Sequence, residues 1–541
     1  MLRRCGLTTD QVLRVLPLLG LALLAATLLL NDLGKKYLWQ DEANTAVLAV
    51  RFMSSGLPLA WDGVNFIGLD DFSMELTAPI DELTRDPGSA VTFYARRGDV
   101  RVDHSWKNHP LGQFLIAGVS MAVLGKTTWA ARIPFALAGL LTVFLFYRLT
   151  LSCFADRVVA LSATTMFVLN SYWILHARQC RYYPLSTLFL IATLIAYLRW
   201  QRGARFGPVA FVVVAHGWFQ VDFGTFWPLM AVLAIDALIT RRQTIRMVVG
   251  TGLTLLLSLV PFIWYYELWH RRGTPTDIWQ NRFLANLFNL NEYVAPGFVV
   301  VAALVLLTVR WRSFARNERH IVLLSGGILL AMAVWIPLVA PQAFLRYSII
   351  VAPMGSLLAA WLFARISPHR VVLLAATTVL VVTPWLSMPF RWLIPPDQTT
   401  QNSGGYFYRP ELVRLLDEVF GHPYDINREV VDWLRQNTSP TDEILVNYED
   451  APLMFYLPNP IRGGIAAFRV EDDRVSPPEF LVLRPWVSFV HWPVFLREIQ
   501  KYQWVQEPLG LAPAMWGNNP DPMGAMTLPT DQTVLVARRR H

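Results

Sequence analysis

The apolar run VLPLLGLALLAATLLL (residues 15–30) and the polar stretch WQDEA (residues 39–43) that follows it decide how this chain folds. Arg3 and Arg4 precede the apolar run, which predicts a first membrane helix with its amino end in the cytoplasm. No small-x-small cleavage site follows the run, so we expect an uncleaved helix rather than a signal peptide. The two adjacent carboxylates of WQDEA then lie just outside the membrane, on its outer side.

The composition of the chain predicts many membrane crossings. Its 541 residues are 54% hydrophobic and only 16% charged, with a mean hydropathy of +0.37, which is too apolar for a soluble protein. Later apolar runs centre near residues 140, 166, 191, 213, 231, 257, 302, 330, 356 and 379, which predicts about eleven spans of roughly 20 residues. The net charge of +8 comes from short basic clusters between these runs, so it indicates membrane orientation and excludes nucleic-acid binding.

One short apolar run, Leu111–Leu124, decides the topology. Its length is more typical of an interfacial or re-entrant helix than of a crossing. If this run does not cross, five arginine clusters fall on the cytoplasmic side, as the positive-inside rule requires. These clusters are Arg148/Arg157, Arg199/Arg202/Arg205, Arg241/Arg242/Arg246, Arg310/Arg312/Arg316/Arg319 and Arg365/Arg370. We therefore expect a multi-pass protein of the inner (plasma) membrane with a cytoplasmic amino terminus.

The same map predicts two domains. Residues 1–388 form a transmembrane domain, whose first outer loop over residues 31–129 carries interfacial helices. Residues 389–541 form a C-terminal periplasmic domain, because the chain stops being apolar near Met388. Helix-like and strand-like pieces alternate in this tail: Asn427–Gln436, Ile444–Asn447, Phe480–Leu483, Phe495–Tyr502 and Thr533–Ala537. The predicted fold class is a mainly α polytopic membrane protein with a small C-terminal α/β domain.

Asp41 and Glu42 open a segment with helical periodicity. Apolar residues recur along it at helical spacing, which predicts an amphipathic helix lying on the bilayer surface. The stripe consists of Ala43, Ala46, Val47, Val50 and Met53. Asp41 would cap this helix, because aspartate is a favoured N-cap and suits the helix dipole. The same position would place a catalytic acid at the depth of a lipid head group, and the local pattern leaves both interpretations open.

A basic and aromatic segment, residues 176–183, lies at the outer end of a predicted span. On a helix Arg178, Arg181 and Tyr182 share one face, so two guanidinium groups and a phenol would converge on one anion, with His176 nearby. Arginine suits this task because its planar fork binds phosphate through paired hydrogen bonds. Snorkelling of interfacial arginines and tyrosines is the alternative.

Three smaller features share that outer face. Lys107 and His109 come just before the helix over residues 111–124, at an amino end that would receive an anion. Arg346-Tyr347 begins a late span and would add a third cation to the arginine site. Glu267 and His270 end another span one helical turn apart, where they would bind a metal, orient an acceptor or simply mark the interface. No cofactor follows from these residues, and a divalent metal stays an open alternative.

Four of these motifs, in this order, resemble the GT-C glycosyltransferases. They are the stretch Trp39 to Arg51; His109-Pro110-Leu111; Ala131-Arg132-Ile133-Pro134 through Tyr147-Arg148; and His176 to Tyr183. Within that superfamily the chain is most similar to the protein O-mannosyltransferase-like family and its bacterial relatives, including the aminoarabinose transferase of lipid A. Arg346-Tyr347 followed by Pro353 resembles a late-helix motif of the same proteins. The resemblance covers residues 36–200 well, the later spans by topology and the tail loosely.

The resemblance implies a polyprenyl-phosphate-linked sugar as donor, an active site at the outer face, and Asp41 as catalytic base with Glu42 beside it. The chain departs from the pattern at two places. Relatives often carry His-Pro-Pro where this chain has His109-Pro110-Leu111, and the aminoarabinose transferases carry a second aspartate close to Tyr182-Tyr183. The departures speak against a metal that bridges two loops and against aminoarabinose specificity.

These expectations combine into a mechanistic hypothesis. Asp41 takes the proton of an acceptor hydroxyl during an inverting displacement, and Arg178, Arg181 and Arg346 stabilise the departing lipid phosphate. The acceptor would be a lipid, glycan or protein, and an insertion between Pro58 and Arg101 would help to shape its site. That insertion carries the acids Asp62, Asp70, Asp71, Glu75, Asp81 and Glu82.

Two other classes of protein remain open on these residues: a lipid or glycan transporter, and a non-catalytic scaffold with a periplasmic binding domain. A transporter should place ionisable groups near mid-membrane and show related halves. The candidate residues of this chain instead gather at one membrane face.

Overall fold

The structure is a computed structural model, and it describes most of the chain. The described residues are 9–60, 62–65, 67, 105–270, 279–340, 344–367, 369–391, 408–423, 425–446, 448–463, 478–484, 503–509, 518–520 and 534–540. The predicted helix Phe495–Tyr502 lies outside them, and so do Asp70, Asp71, Glu75, Asp81 and Glu82.

Helices dominate the described residues, which confirms the predicted fold class. In chain order they are α1 (Thr9–Leu30), α2 (Gln40–Ser55), α3 (Leu111–Leu124), α4 (Thr128–Phe154), α5 (Arg157–Val168), α6 (Ser171–Ala177), α7 (Tyr183–Gln201), α8 (Gly207–Phe219), α9 (Phe223–Thr240), α10 (Ile245–Tyr265), α11 (Trp279–Asn289), α12 (Gly297–Val309), α13 (Arg316–Val339), α14 (Leu345–Ser348), α15 (Ala352–Ile366), α16 (Arg370–Val382), α17 (Met388–Arg391), α18 (Pro410–Phe420), α19 (Ile426–Asn437) and α20 (Asp450–Tyr456).

Six helical segments of the described chain are long and apolar enough to cross a membrane, and two bent helix pairs raise the number to eight if each pair is one span. The shorter apolar helices include Leu16–Leu30, α8 and α16, which the predicted map of about eleven crossings also counts as spans. The run Leu111–Leu124 is a helix with those same bounds. The chain is a multi-pass membrane protein, and its orientation stays a prediction.

The chain divides into two compact units, which differ from the predicted domains. Unit 1 comprises Met1–Leu33, Phe135–Pro261 and Gly273–Gly421, and unit 2 comprises Gly34–Pro134, Phe262–Arg272 and His422–His541. Segments far apart in sequence thus share one unit. The division at residue 388 was drawn by membrane position rather than by compactness, and it stays a prediction.

Unit 1 is built around the late span formed by α14, a 3-10 turn (Ile349–Val351) and α15. This span is 83% buried, whereas only 17% of α10 is buried, so the late span forms the core. A π-helical turn, Leu290–Val294, lies at a bend of 79° between Asn281–Val294 and α12. Gly355 on α15 packs against that turn, and a Cβ atom there would overlap the carbonyl oxygen of Val294. The close approach therefore requires glycine.

Unit 2 contains a five-stranded sheet with the order β2-β1-β3-β5-β4. Its strands are β1 (Ile444–Val446), β2 (Ile461–Gly463), β3 (Phe480–Leu483), β4 (Trp504–Pro508) and β5 (Leu535–Arg539). The strand β1 pairs in parallel with β2 and β3, while β5 pairs antiparallel with β3 and β4. Helix α19 precedes β1, and α20 follows it. The predicted α/β character of the tail is confirmed.

Helix α2 is more deeply buried than its apolar stripe predicts, and its position on the bilayer surface stays a prediction. Every residue from Gln40 to Ala49 is buried, whereas an interfacial helix would leave its polar face to solvent. Helices α3 and α20 both pack against α2. At Gly118 of α3 the backbone approaches Ala49 and Met53 so closely that a Cβ atom would collide with them. Helices α3 and α20 together cover more of α2 than the single buried face that its apolar stripe predicts.

Candidate active site

The start of α2 holds the acid that the sequence singled out. Asp41 lies in the first turn, and only 6% of its surface is exposed. The predicted capping role is wrong, because Trp39 occupies the N-cap position and its side chain makes no capping hydrogen bond. A carboxylate in the first helical turn is nevertheless favoured by the helix dipole. Asp41 is thus a nearly buried acid at the positive end of a helix.

Glu42 is tied to an arginine. The Arg132 Nε and Nη2 atoms lie 2.8 and 2.6 Å from its two carboxylate oxygens, and Arg132 Nη1 donates to the carbonyl of Lys36 at 2.7 Å. Neither side chain of the pair is more than 9% exposed. Bidentate pairs of this kind hold both partners in one geometry. The arrangement makes Glu42 an anchor for the amino end of α2.

A second acidic pair, Glu449-Asp450, joins the same region of unit 2. Gln40 Nε2 donates to the Asp450 carboxylate at 2.6 Å, and the Ala451 amide donates back to Gln40 Oε1 at 3.3 Å. Asn427 Nδ2 donates to Glu449 at 3.0 Å and to the carbonyl of Leu38 at 2.9 Å. The amino end of α20 is therefore fastened to the residues that begin α2.

Burial sets the charge preference of this second pair. It raises the pKa of Glu449 to about 8, against the opposing influence of Arg484 and of the hydrogen bond from Asn427. The negative charges of Asp41 and Asp450 raise that pKa further. Burial also raises the pKa of Asp450 to about 6, against the hydrogen bond from Gln40. Strongly shifted carboxyl groups beside a candidate base are typical of functional sites.

The sequence analysis missed Glu449 and Asp450. A signal was present, since the pair follows β1 by only a few residues, and ligands often bind beyond the carboxyl ends of parallel strands. That signal requires knowing that β1 pairs in parallel with β2 and β3, which the sequence does not reveal.

Lys107, His109 and Glu267 form a separate cluster of unit 2. The Lys107 ammonium pairs with the Glu267 carboxylate, and Trp106 Nε1 lies 3.3 Å from His109 Nδ1. Glu267 has left-handed backbone angles beyond the end of α10, so it does not continue that helix toward His270 as predicted. His270 belongs to the short 3-10 helix that follows, and its side chain lies outside the described residues.

This cluster and Asp41 lie toward opposite ends of α2. The Trp106 amide donates to the carbonyl of Pro58 at 2.7 Å, just past the carboxyl end of that helix. Gly118, farther along α3, contacts Ala49 and Met53, so α3 runs back along α2. Asp41 and Ser55 are separated by roughly 20 Å at 1.5 Å per helical residue. The structure does not bring His109 to Asp41.

The arginine segment of unit 1 is a turn and not a helix face. Helix α6 ends at Ala177 and α7 begins at Tyr183, so Arg178, Arg181 and Tyr182 lie in the connection. Their predicted convergence by helical spacing is therefore wrong. Pro184 lies in the first turn of α7, a position at which proline starts a helix readily.

Arg178 is engaged at the end of α1. Its Nη1 and Nη2 atoms donate to the carbonyls of Leu28 and Asn31 at 2.7 and 2.8 Å, and its Nε lies 3.8 Å from the Glu418 carboxylate. His176 is fully buried, with its Nδ1 atom 2.7 Å from the carbonyl of Tyr172. Both residues make contacts that stabilise unit 1.

Arg181, Tyr182, Arg346 and Tyr347 share one neighbourhood of unit 1. The 3-10 turn that follows α14 packs against α6 and α7. Tyr182 is close enough to Arg181, Tyr347 and Asp222 for their charges to act on it. The Arg346 guanidinium lies 4.0 Å from the centre of the Phe344 ring, and Arg181 lies 5.4 Å from that of Tyr182. The elements that carry these four residues therefore pack together, although the residues do not share a helix face.

A divalent metal finds no ready site in the described part of the chain. No three histidine, cysteine, aspartate or glutamate side chains there are arranged to hold one. The acids near Asp41 do not form such a group, and Glu267 is paired with Lys107. We therefore assign no chemical step to a metal.

Comparison with known proteins gives the fold a name. No protein-family model matches the chain, and no curated protein matches its sequence. Two crystal structures of ArnT, an aminoarabinose transferase, from Cupriavidus metallidurans do match. The chain shares the fold of ArnT. The match to ArnT bound to undecaprenyl phosphate has a TM-score of 0.55, and the match to the apo state has 0.56. Each covers 98% of both chains at 15% identity, so the likeness is one of fold.

Proposed function

We propose that this protein is a membrane glycosyltransferase that moves a sugar from a polyprenyl-phosphate donor to a lipid, glycan or protein acceptor. The observation that carries the proposal is the likeness to ArnT along nearly the whole of both chains, because that protein has been crystallised with undecaprenyl phosphate bound. The sequence motifs around Asp41 and Arg346 support the same activity.

In the proposed reaction Asp41 is the general base. One of its carboxylate oxygens takes the proton from an acceptor hydroxyl, and the oxygen of that hydroxyl attacks the anomeric carbon of the donor sugar. The bond between that carbon and the phosphate oxygen breaks, and polyprenyl phosphate leaves with the electron pair. The configuration at the anomeric carbon is inverted. General-base assistance of this kind contributes about 10² to 10⁴ in rate.

Arg181 and Arg346 are the groups that we assign to the leaving phosphate, with Tyr182 and Tyr347 as hydrogen-bond donors. Cations in a poorly hydrated site stabilise the developing negative charge more strongly than they would in water. Arg178 and Glu42 are instead positioning groups, because backbone carbonyls occupy the first and Arg132 occupies the second. An anion site at Lys107 and His109, a place for His176 beside the arginines, and a metal-binding or acceptor-orienting role for Glu267 and His270 remain proposals.

The proposal also places the reaction on the periplasmic side of the inner membrane. The arginine clusters between spans support this orientation, since they would then all be cytoplasmic. The C-terminal domain, residues 389–541, would lie on the same side and help to bind the acceptor.

The test uses membranes that contain the full-length chain and radiolabelled polyprenyl-phosphate sugars. We expect transfer by the wild type and a loss of about 10² or more in Asp41→Asn. Asp432→Asn is the matched control, because Asp432 is exposed and pairs only with Arg435 on the surface of α19. Transfer by Asp41→Asn at the wild-type rate would remove Asp41 from the mechanism, and a wild type inactive with every such donor would refute the function.

A further inference from the structure

The C-terminal part of unit 2 reaches the start of α2 through a line of buried polar side chains. Arg484, at the end of β3, donates to Asn427 Oδ1 at 2.8 Å, and Asn427 donates to both Glu449 and the carbonyl of Leu38. Residues next to β3 and α20 thus meet at Asn427 of α19, which bonds the carbonyl of Leu38 two residues before Gln40. Such a line rigidifies a site only if every member keeps its partner.

Glu449 is held in an unusual conformation. Its φ of 63° and ψ of 41° are left-handed, a conformation that is strained for a residue with a Cβ atom. Only 2% of Glu449 is exposed, and α20, which it precedes, packs against α2. Surrounding structure must therefore over-determine this backbone, as is typical of residues near functional sites.

We propose that Glu449 is a positioning residue for Asp41, one that fixes the first turn of α2 through Asn427 and whose charge state sets the electrostatic field at Asp41. The inference rests on the proposed function and deepens it, because it adds a residue from the C-terminal tail to the site. Glu449 does not touch substrate in this scheme, and it acts through Asp41.

The charged groups that face Glu449 come from three elements. Arg484 lies at the end of β3 and favours the ionised form, whereas Asp41 on α2 and Asp450 on α20 oppose it. A neutral Glu449 adds no charge beside Asp41, and the amide of Asn427 suffices as its partner. Once Glu449 ionises, a further buried negative charge faces Asp41, loosens the attachment of α20 and repels an anionic donor. Because burial places the pKa of Glu449 at about 8, this change falls on the alkaline side of neutrality.

The experiment measures the pH dependence of transfer and of thermal unfolding in the detergent-purified full chain. We expect wild-type activity to fall above about pH 8 by about tenfold per pH unit. Glu449→Gln keeps the hydrogen bond from Asn427 and stays neutral, so it should retain activity at pH 7 within about threefold and lose this alkaline decline. Arg484→Gln removes the charge that favours ionisation, so its decline should move to higher pH.

The matched control is Glu479→Gln, since Glu479 belongs to the same tail but pairs with Arg539 and is partly exposed. It should show the wild-type profile. An unchanged alkaline decline in Glu449→Gln, or in Arg484→Gln, would overturn the proposal. Thermal unfolding separates this failure from that of the proposed function. If the wild type has no transfer activity but its melting temperature falls between about pH 5 and 8 and that of Glu449→Gln does not, the charge assignment holds while the enzymatic function fails.

Discussion

Two pairs of adjacent acids, Asp41-Glu42 and Glu449-Asp450, lie close together in unit 2 but have different hydrogen-bond partners. Glu42 receives both hydrogen bonds of an arginine fork, which holds its carboxylate in one geometry. Glu449 receives an amide hydrogen bond from Asn427, with the guanidinium of Arg484 one residue farther along the line. All four acids are nearly excluded from solvent, so the two pairs differ in their partners rather than in their exposure. Four predictions test that contrast, from the largest expected effect to the smallest.

Removing the arginine partner should have the largest effect. Arg132→Gln leaves the Glu42 carboxylate buried and without its cation, which costs about 3 to 5 kcal/mol in the free energy of unfolding. Chemical unfolding of the detergent-solubilised protein, followed by tryptophan fluorescence, would measure it. A double variant, Arg132→Gln with Glu42→Gln, should recover part of the loss because it removes the unpaired charge. A single variant as stable as the wild type would mean that Glu42 does not depend on Arg132.

The contrast also predicts how stability changes with pH. The folded-state pKa of Glu449 is raised from 4.5 to about 8. Its contribution is therefore fully present below about pH 4.5, declines as the pH rises, and is lost above about pH 8. Relative to Glu449→Gln, the wild type should lose stability between pH 5 and 9 in thermal unfolding scans. Parallel curves for the two proteins would show that Glu449 has a normal charge in the folded state.

The hydrogen bond from Gln40 to Asp450 links the two acidic pairs, and losing it should cost less free energy of unfolding than losing Arg132. Gln40→Leu removes the donor that Asp450 accepts from, and it should cost about 1 to 3 kcal/mol because a buried acceptor loses its partner. Asp450→Asn should cost less, since its amide oxygen can still accept from Gln40. Equal losses for the two variants would indicate that packing, and not the hydrogen bond, joins α20 to α2.

An exposed pair should show almost no effect. Arg435 and Asp432 on α19 are 50% and 43% exposed, so their ion pair is screened by solvent. Arg435→Gln should change the free energy of unfolding by less than about 0.5 kcal/mol. A loss comparable to that of Arg132→Gln would contradict the view that burial gives the Glu42 pair its importance.

Sequence reasoning succeeded where a property depends on neighbours along the chain. The helix Leu111–Leu124 has its predicted bounds, and the strands at residues 444–446 and 480–483 match the predicted pieces. Hydrophobic periodicity and length suffice for such elements. The stripe of α2 predicted the helix but not its full burial, because an amphipathic stripe indicates one buried face and cannot show that α3 and α20 both cover the helix.

The same division applies to the site. The identities of Asp41, Arg181 and Arg346 as candidates came from residue chemistry and from motif order, which the sequence contains. The predicted capping role of Asp41 is wrong, because Trp39 occupies the N-cap position of α2. The predicted shared helix face of Arg178 and Arg181 is wrong, because the helix α6 ends at Ala177.

The sequence by itself determined that this protein is a polytopic, mainly α membrane protein with an α/β tail, since apolar length and charge are local quantities. Only the tertiary structure decided which acids meet. Asp41 and Glu449 are about 400 residues apart in the chain, and their proximity depends on the packing of α20 against α2 and on the hydrogen bonds through Gln40 and Asn427. Contacts between segments so far apart in the chain produce no local sequence pattern, because the residues adjacent to each contact residue in the chain do not depend on that contact.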